Sequence, residues 1–310
     1  MLGPRERVTS MSDLGRSTLV ITGMHRSGTS LTAALLQSAG LFIGERLMGP
    51  AESNRAGHFE DLDFVHLQQR MLTAAGLCAT GLVAPPTPVA VPDQLRDAAA
   101  DLLRQRHAGG RPWGWKDPRT VLFLDFWRPM LPRAGWLFVC RPPWDVVDSL
   151  FRRGDAVFHD NAPLALRVWH HYNAAIAAFV ARHADHCLVV DVSQVAADPA
   201  GVLDRIRSRL GVELGHPAPT FQADLLSPGT AARHVAAVRA ACPEACELYA
   251  TLRQHAGLEP LPDVADEPGA GALSIVEWAV ATVAEREARR LHGDLNEALA
   301  RSATFEAALE

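Results

Sequence analysis

The chain contains 310 residues, of which 48% are hydrophobic and 21% are charged, and its formal net charge is −5. This composition is that of a globular protein, and the acidic balance excludes a general basic surface that would recruit nucleic acid or an anionic membrane. Any binding site for an anion must therefore be local.

The sequence predicts neither a targeting segment nor a membrane-spanning segment. Residues 1–17 are polar and contain no apolar signal-peptide core, so we expect a flexible tail. The apolar stretch 273–284 is interrupted by Glu277 and is too short to span a bilayer. The five cysteines have no Cys or His partner at zinc-like spacing. These features predict a cytoplasmic protein with reduced thiols, no membrane span and no metal site.

The first regular elements flank a glycine-containing loop. Residues 18–24 are apolar and β-branched and predict a buried parallel strand, and residues 30–39 predict the following helix. The loop between them reads "GMHRSGTS", and its two glycines have the spacing of the phosphate-binding motif G-x-x-x-x-G-K-[ST]. Thr29 stands where that motif has its lysine, and Arg26 lies inside the loop instead.

This loop keeps an anion cradle but lacks the lysine that contacts a γ phosphate. Backbone N–H groups and a helix N-terminus remain, and Arg26, Ser27, Thr29 and Ser30 add one positive charge and three hydroxyls. We therefore expect a 5′-phosphate that carries one further anionic group.

The middle of the chain predicts helices separated by loops. Residues 83–92 contain four prolines and predict a surface loop, and the segment "GGRPWGWKDPRT" at 109–120 predicts a second one. Helices are predicted on either side of this second loop, at 93–106 and 121–130.

A second anion site is predicted after the next strand, at 135–141. Arg141 lies at its carboxyl end, where open α/β sheets bind ligands. Prolines then begin a helix at 144–153, and Ser149 lies about two turns into it. Two phosphate sites on neighbouring strand ends describe adenosine 3′-phosphate 5′-phosphosulfate (PAPS).

The remaining elements complete an α/β pattern. A helix at 164–183, a strand at 187–191 and a helix at 199–210 predict a three-layer α/β sandwich with a parallel central sheet. The end of the chain, 272–309, predicts a helix with leucines 291, 295 and 299 on one side. That side could pack on the body or form a homodimer.

Five sequence blocks together resemble the PAPS-dependent sulfotransferases, especially bacterial members. "GMHRSGTSL" resembles their 5′-phosphosulfate loop and "FVCRPPWDVVDS" their 3′-phosphate motif. "WKDPR" at 115–119 resembles their lysine-bearing loop, and "LVVDVSQVAADPAGVLDRIRSRLGV" resembles the segment that commonly follows. "GHFED" at 57–61 resembles a block of bacterial members that act on sugars or lipids. The R-x-G motif of cytosolic animal members is missing, and Arg233 is a weak candidate for its contact.

The resemblance implies a P-loop NTPase-like fold, with a flexible tail (1–17), a sulfotransferase domain (18–265) and a helical C-terminal extension (266–310). It implies PAPS as co-substrate and, as acceptor, a hydroxyl or amine of a carbohydrate, glycolipid or small natural product. Neither nucleic acid nor a metal is expected to take part. The implied donor-binding residues are His25, Arg26, Ser27, Gly28, Thr29, Ser30, Arg141 and Ser149.

The catalytic residues implied are Lys116 and Arg26 as cations for the leaving group and Glu60 as the general base. His58 is the strongest competitor for the base, and Glu45 and Asp61 also remain open. We expect the neighbouring Phe59 to raise the pKa of the Glu60 carboxyl. Aromatic candidates for stacking on the acceptor are Phe59, Trp113, Trp115 and Trp169.

Two functions from other classes remain open. One is a magnesium-dependent P-loop kinase, for which Asp191 is the only candidate acid after a strand. The other is a non-catalytic nucleotide-binding module that assembles through its C-terminal helix.

Overall fold

The computed structural model describes residues 17–49, 57–108, 111–218, 232–259 and 273–307. A four-stranded parallel sheet has the order β2-β1-β3-β4. Its strands are β1 (Thr18–Thr22), β2 (Trp113–Lys116), β3 (Gly135–Cys140) and β4 (Cys187–Asp191). The expected parallel α/β sheet is therefore confirmed.

Helices cover both faces of the sheet. They are α1 (Thr29–Ser38), α2 (Leu62–Ala74), α3 (Asp93–His107), α4 (Leu124–Met130), α5 (Pro143–Arg153), α6 (Ala156–Asp160), α7 (Pro163–Arg182), α8 (Val192–Ala197), α9 (Pro199–Leu210), α10 (Ala232–Ala241), α11 (Pro243–His255) and α12 (Ile275–Ala307), with short 3₁₀ helices at Pro118–Phe123 and Ala184–His186.

Side-chain alternation along the strands builds two separate cores. On β3, Leu137 and Val139 pack with α1, α8 and α9, whereas Trp136 and Phe138 belong to the larger core on the opposite face. Successive strand residues point to opposite faces, and every residue of the four strands is buried. The result is the three-layer architecture that the sequence predicts.

The prediction of a loop at 109–120 is wrong at 113–116, which form the edge strand β2. Trp113 and Trp115 point into one core, and Gly114 lies against β1, where an added Cβ would come within 1.9 Å of the Leu19 carbonyl oxygen. Two tryptophans on one face of a short strand gain enough buried apolar area to outweigh the weak strand preference of glycine. The predicted helix at 121–130 also begins differently, as a 3₁₀ turn that becomes α4 only at Leu124.

The base of α12 packs on the body of the protein. Ile275, Trp278 and Ala279 are buried, the Trp278 indole donates to Asp148 of α5 at 3.3 Å, and Arg286 donates to the Arg153 carbonyl at 3.2 Å. The predicted tail at 1–17 and the predicted boundary at 265/266 lie outside the described residues, except for Ser17. Within the described part of the chain, no helix has both the length and the apolar character to cross a membrane.

Candidate active site

A pocket opens at the carboxyl ends of β1, β2 and β3. Open parallel α/β sheets bind their ligands at the carboxyl ends of their strands. Nine of the predicted site residues line it: His25, Arg26, Gly28, Thr29, Ser30, His58, Glu60, Lys116 and Arg141. The wall carries four basic side chains, from Arg26, Lys116, Arg141 and Arg153, against one carboxylate. The pocket is therefore built for an anion.

The loop after β1 needs both of its glycines. A Cβ on Gly23 would lie 2.3 Å from the Val139 carbonyl oxygen, and one on Gly28 would lie 2.1 Å from the Val192 side chain. Gly28 also has φ 89°, a left-handed conformation that glycine adopts without strain. The glycine spacing noted in the sequence thus reflects close approach of the loop to β3 and α8.

Helix α1 begins at this loop with its amide groups uncapped. No side chain caps the helix and no acidic residue lies in its first turn. The first N–H groups of a helix have no partner within it and carry a partial positive charge. An anion in the pocket would satisfy them.

Arg26 has a strained backbone and a partly desolvated charge. Its φ is 67°, and the other non-glycine residue with positive φ among those described, Phe59, also lines the pocket. Such conformations cost about 1–3 kcal/mol and concentrate at functional sites. Burial, with the nearby charges of Arg153 and Arg141, lowers the pKa of Arg26 to about 10. The side chain remains charged at neutral pH, and a bound anion would stabilise it further.

Arg141 and Ser149, the predicted residues of the second anion site, both hydrogen-bond to Arg26. Arg26 Nε donates to Ser149 Oγ at 2.9 Å, and Arg141 Nη1 donates to the Arg26 carbonyl oxygen at 3.2 Å. Asp145 lies 3.7 Å from Arg141 Nε. The loop after β1 and the β3–α5 corner are therefore joined directly by hydrogen bonds.

At the other end of the pocket, Lys116 and Glu60 form a buried ion pair. Lys116 Nζ lies 2.7 Å from Glu60 Oε1 and donates to Ser30 Oγ at 3.3 Å. The two residues are 1% and 6% exposed. Burial lowers the pKa of Lys116, and the charge of Glu60 opposes that shift.

Arg119 and Asp117 form a second ion pair next to Lys116 and Glu60. Arg119 Nη1 lies 2.9 Å from Asp117 Oδ1 and 3.7 Å from Glu60 Oε2. Burial would lower the pKa of Arg119, but the two carboxylates outweigh it and the pKa is raised. Glu60 thus lies between two cations, Lys116 and Arg119.

His25 and His58 are both expected to be neutral near pH 7. Burial first, and then the charges of Arg119 and other cations, hold the pKa of His25 well below its usual range. Burial also lowers the pKa of the half-buried His58, against the charge of Glu60. The buried Nε2 of His25 has no hydrogen-bond partner among the described residues.

Several predicted site residues lie away from the pocket wall. Ser27 is fully buried and does not line the pocket, because its backbone N–H turns back to the Met24 carbonyl. Asp61 caps α2 and accepts from the buried Arg106 at 2.9 Å. Glu45 and Arg233 are exposed and do not line the pocket either.

The tryptophans proposed for acceptor stacking are core residues. Trp113, Trp115 and Trp169 are at most 1% exposed, so of the four aromatic candidates only Phe59 lines the pocket. Large aromatic side chains gain the most free energy when they are completely buried. The sequence alone does not distinguish a core tryptophan from one that stacks on a ligand.

The sequence predicts no role for two cationic residues at the site, Arg153 and Arg119. Arg153 ends α5 and lines the pocket, and Arg119 holds the Lys116–Glu60 pair. Arg153 follows Ser149 by four residues, one helical turn, so the helix spacing was a usable signal. Arg119 is the last residue of the block "WKDPR", in which the sequence predicts a role only for Lys116.

Asp191, the candidate magnesium ligand of a kinase, accepts hydrogen bonds from Ser193 and Tyr249. Its Oδ1 accepts from the backbone N–H of Ser193 at 2.9 Å, and its Oδ2 accepts from the Tyr249 hydroxyl at 2.7 Å. β4, which carries it, is separated from β1 by β3. Among the described residues, no group of three or more His, Cys, Asp or Glu side chains could hold a metal ion.

The fold and site define a three-layer α/β protein with a parallel sheet and a cationic pocket at the carboxyl ends of its strands. The sequence matches the sulfotransferase family over residues 18–216, more than half of the chain. The chain therefore belongs to the sulfotransferase family, as the resemblance of its sequence blocks predicts.

Solved structures similar to the chain are bacterial sulfotransferases. The sulfotransferase domain of an olefin synthase from Synechococcus has 23% identity and a TM-score of 0.42, covering 68% of this chain and 80% of that chain. A Mycobacterium tuberculosis sulfotransferase has 17% identity and a TM-score of 0.44, with coverage of 70% and 73%. One from Alicyclobacillus acidocaldarius has 13% identity and a TM-score of 0.48, with coverage of 78% and 96%. A comparison with functionally curated proteins found no match.

Proposed function

We propose that the protein transfers the sulfuryl group of PAPS to a hydroxyl or amine of an acceptor. Carbohydrates, glycolipids and small natural products are the acceptor classes that we propose. The observation that carries the proposal is the pocket itself, where four basic side chains meet one carboxylate beside an uncapped helix N-terminus. Such a site favours a ligand with several negative charges.

The chain offers a fitting group for each anionic part of this donor. The loop amides, Arg26 and the hydroxyls of Thr29 and Ser30 would hold the 5′-phosphosulfate. Arg141 and Ser149 would hold the 3′-phosphate. Both lie next to the loop that would hold the 5′-phosphosulfate, because Ser149 accepts from Arg26 Nε and Arg141 donates to the Arg26 carbonyl oxygen. The unpartnered buried Nε2 of His25 supports the fit, because a ligand oxygen would give it a partner.

When bound, the donor supplies the sulfuryl group and leaves as adenosine 3′,5′-bisphosphate. Glu60 takes the proton of the acceptor hydroxyl, and Lys116 and Arg26 neutralise the charge that develops on the leaving oxygen. The 2.7 Å contact between Lys116 and Glu60 supports this assignment, since both groups then act at one point of the pocket. The protein's work is positioning and charge stabilisation, as in phosphoryl transfer.

Phe59 supports an acceptor with a ring or an apolar face. It is half-buried and lines the pocket beside Glu60, and an aromatic ring stacks well on sugar or aromatic rings. We also propose a cytoplasmic location, which the five free cysteine thiols support.

Calorimetry with two ligands tests the donor assignment. Adenosine 3′,5′-bisphosphate should bind more tightly than ATP, because the loop lacks the lysine that contacts a γ phosphate. Tight binding of ATP that depends on magnesium would instead favour a kinase. Incubation with labelled PAPS and pools of acceptors then tests transfer, and a protein that binds the bisphosphate but labels no acceptor would favour a non-catalytic module.

A further inference from the structure

Arg153 is the cation of the pocket to which the proposed function gives no role. It is the last residue of α5 and lines the pocket, and its side chain is 20% exposed. The preceding residue, Arg152, has a side chain that is 49% exposed, pairs with Asp148 at 2.6 Å and does not line the pocket. Basic residues are common at the ends of helices because they face the negative end of the dipole. Arg152 fits that general role, whereas the place of Arg153 in the pocket wall requires a further reason.

Arg153 lies on the same face of α5 as Ser149. It follows Ser149 by about one helical turn, so the two side chains are neighbours on the helix surface. Ser149 in turn accepts from Arg26 Nε at 2.9 Å, and Arg141 donates to the Arg26 carbonyl oxygen at 3.2 Å. The three arginines of the pocket wall are therefore grouped at the end of the pocket where Ser149 lies.

The charge of Arg153 acts on the other cations of this group. Burial first, then the charge of Arg153 and after it that of Arg141, lower the pKa of Arg26 to about 10. Like charges in a partly buried wall repel each other, and an anion that binds between them offsets this repulsion. A phosphate group suits such a set of arginines, because its oxygens can accept from several guanidinium groups at once.

Asp155 fixes one edge of the Arg153 guanidinium. Arg153 Nε donates to Asp155 Oδ2 at 2.6 Å, and Nη2 contacts the same oxygen. Asp155 does not line the pocket, so it holds the guanidinium from outside the pocket wall. A guanidinium has five N–H donors in a planar fork, and one that is held along its Nε–Nη2 edge can still donate from Nη1. Arg153 thus combines a fixed orientation with donors for a ligand.

The C-terminal helix α12 packs on the turn of α5 that carries Arg153. Arg286 Nη1 donates to the Arg153 carbonyl oxygen at 3.2 Å. The same nitrogen lies against Gly154, where an added Cβ would come within 1.3 Å of it. About two turns earlier on α12, the Trp278 ring meets Phe151 edge-on, with 5.5 Å between the ring centroids. Contacts from α12 therefore hold the last turn of α5 in place.

We propose that Arg153 binds the 3′-phosphate of the donor together with Arg141 and Ser149, and that α12 holds Arg153 in position. The inference rests on the proposed function, since it adds one contact to the donor proposed there. Arg153 is then a binding residue, and Arg286 is a positioning residue that acts through it. The C-terminal helix thus contributes to donor binding although no described residue of α12 lines the pocket.

Calorimetry with two nucleotides tests the contact of Arg153. Adenosine 3′,5′-bisphosphate carries the 3′-phosphate, and adenosine 5′-monophosphate lacks it. Arg153→Gln should weaken binding of the bisphosphate about tenfold or more and leave binding of the monophosphate unchanged, because the lost contact is to the 3′-phosphate alone. Arg152→Gln is the matched control: it removes the same charge from the neighbouring residue outside the pocket and should change neither affinity.

The two nucleotides also separate this inference from the proposed function. Equal losses for both nucleotides in Arg153→Gln would place its contact elsewhere in the pocket, and unchanged affinities would mean that it makes no contact with the donor. Either result would overturn the inference and leave the proposed donor in place. A wild-type protein that does not prefer the bisphosphate to the monophosphate would contradict the proposed donor and this inference together. Normal binding of the monophosphate shows in addition that a variant is folded.

A double-mutant cycle tests the role of α12. Arg286→Ala should weaken bisphosphate binding about threefold or more without changing monophosphate binding, and it should have no further effect when combined with Arg153→Gln. Arg289→Ala is the control on the same helix, because Arg289 is exposed and pairs with Glu285 within α12; it should bind both nucleotides normally. Losses that multiply in the combined variant would mean that Arg286 acts independently of Arg153. That result, or an unchanged affinity in Arg286→Ala, would overturn the positioning role of α12.

Discussion

Replacing Glu60 by glutamine tests the proposed general base without changing the shape of the side chain. Glu60 lies between Lys116, at 2.7 Å, and Arg119, at 3.7 Å. The change removes the negative charge and the ability to take a proton, but it leaves an amide oxygen that can still accept from Lys116. The pocket geometry should therefore persist while the proposed chemistry is lost.

Two effects must be separated, one on stability and one on turnover. Removing one partner of a buried ion pair costs about 3–5 kcal/mol, and the retained acceptor should keep Glu60→Gln near the lower end. A domain is stable by about 5–15 kcal/mol, so the variant should stay folded at room temperature. Loss of a general base lowers kcat about 10²–10⁴-fold, a rise of about 3–5 kcal/mol in the barrier.

The assay measures kcat with saturating PAPS, together with the affinity for adenosine 3′,5′-bisphosphate and thermal unfolding. Glu60→Gln should lose turnover while it binds the bisphosphate normally. Glu45→Gln is the matched control, because Glu45 is an exposed carboxylate outside the pocket, and it should retain full turnover. If Glu60→Gln keeps near-normal kcat and His58→Asn collapses, the reasoning fails and His58 is the base.

Three further outcomes follow from the site. Arg141→Ala should weaken bisphosphate binding at least tenfold, because a charge-assisted contact of about 1.5–3 kcal/mol and the bond to the Arg26 carbonyl are both lost; unchanged calorimetric affinity would remove Arg141 from the site. Turnover should survive an excess of EDTA, because Arg26 and Lys116 act as fixed cations, and activity that EDTA abolishes and magnesium restores would contradict this. Since the pKa of His25 is held well below its usual range by burial and nearby cations, the unfolded chain takes up the proton first. The free energy of unfolding should therefore fall as pH drops below about 6.5, by up to about 1.4 kcal/mol per pH unit. His25→Gln should remove that component in thermal melts and the exposed control His66→Gln should keep it; the same slope in both variants would assign it to other groups.

Much of the fold could be predicted from local patterns. The strand Cys187–Asp191 and the helix Pro199–Leu210 have the bounds that the sequence predicts, and the other predicted elements differ by one to three residues at an end. The helices α6, α8, α10 and α11 were not predicted. The predicted segments have unbroken apolar or amphipathic periodicity and clear start and stop residues, so neighbouring residues alone define them. The edge strand at 113–116 could not be predicted, because its glycine and tryptophans form a strand only by pairing with β1.

The sequence by itself determined the family of the protein and the kind of fold. The glycine spacing of the loop, the arginine after one strand and the lysine of "WKDPR" are local features, and they were enough to predict an anion site in a parallel α/β fold and the sulfotransferase family. Which side chains meet in that site was decided only by the tertiary structure. Parallel strands bring residues from distant segments to one edge of the sheet, so Lys116 meets Glu60, Arg26 meets Ser149, and Ser27 turns away from the pocket. Burial likewise separates the core tryptophans from Phe59, because it depends on what packs around a ring and not on the residues beside it in the chain.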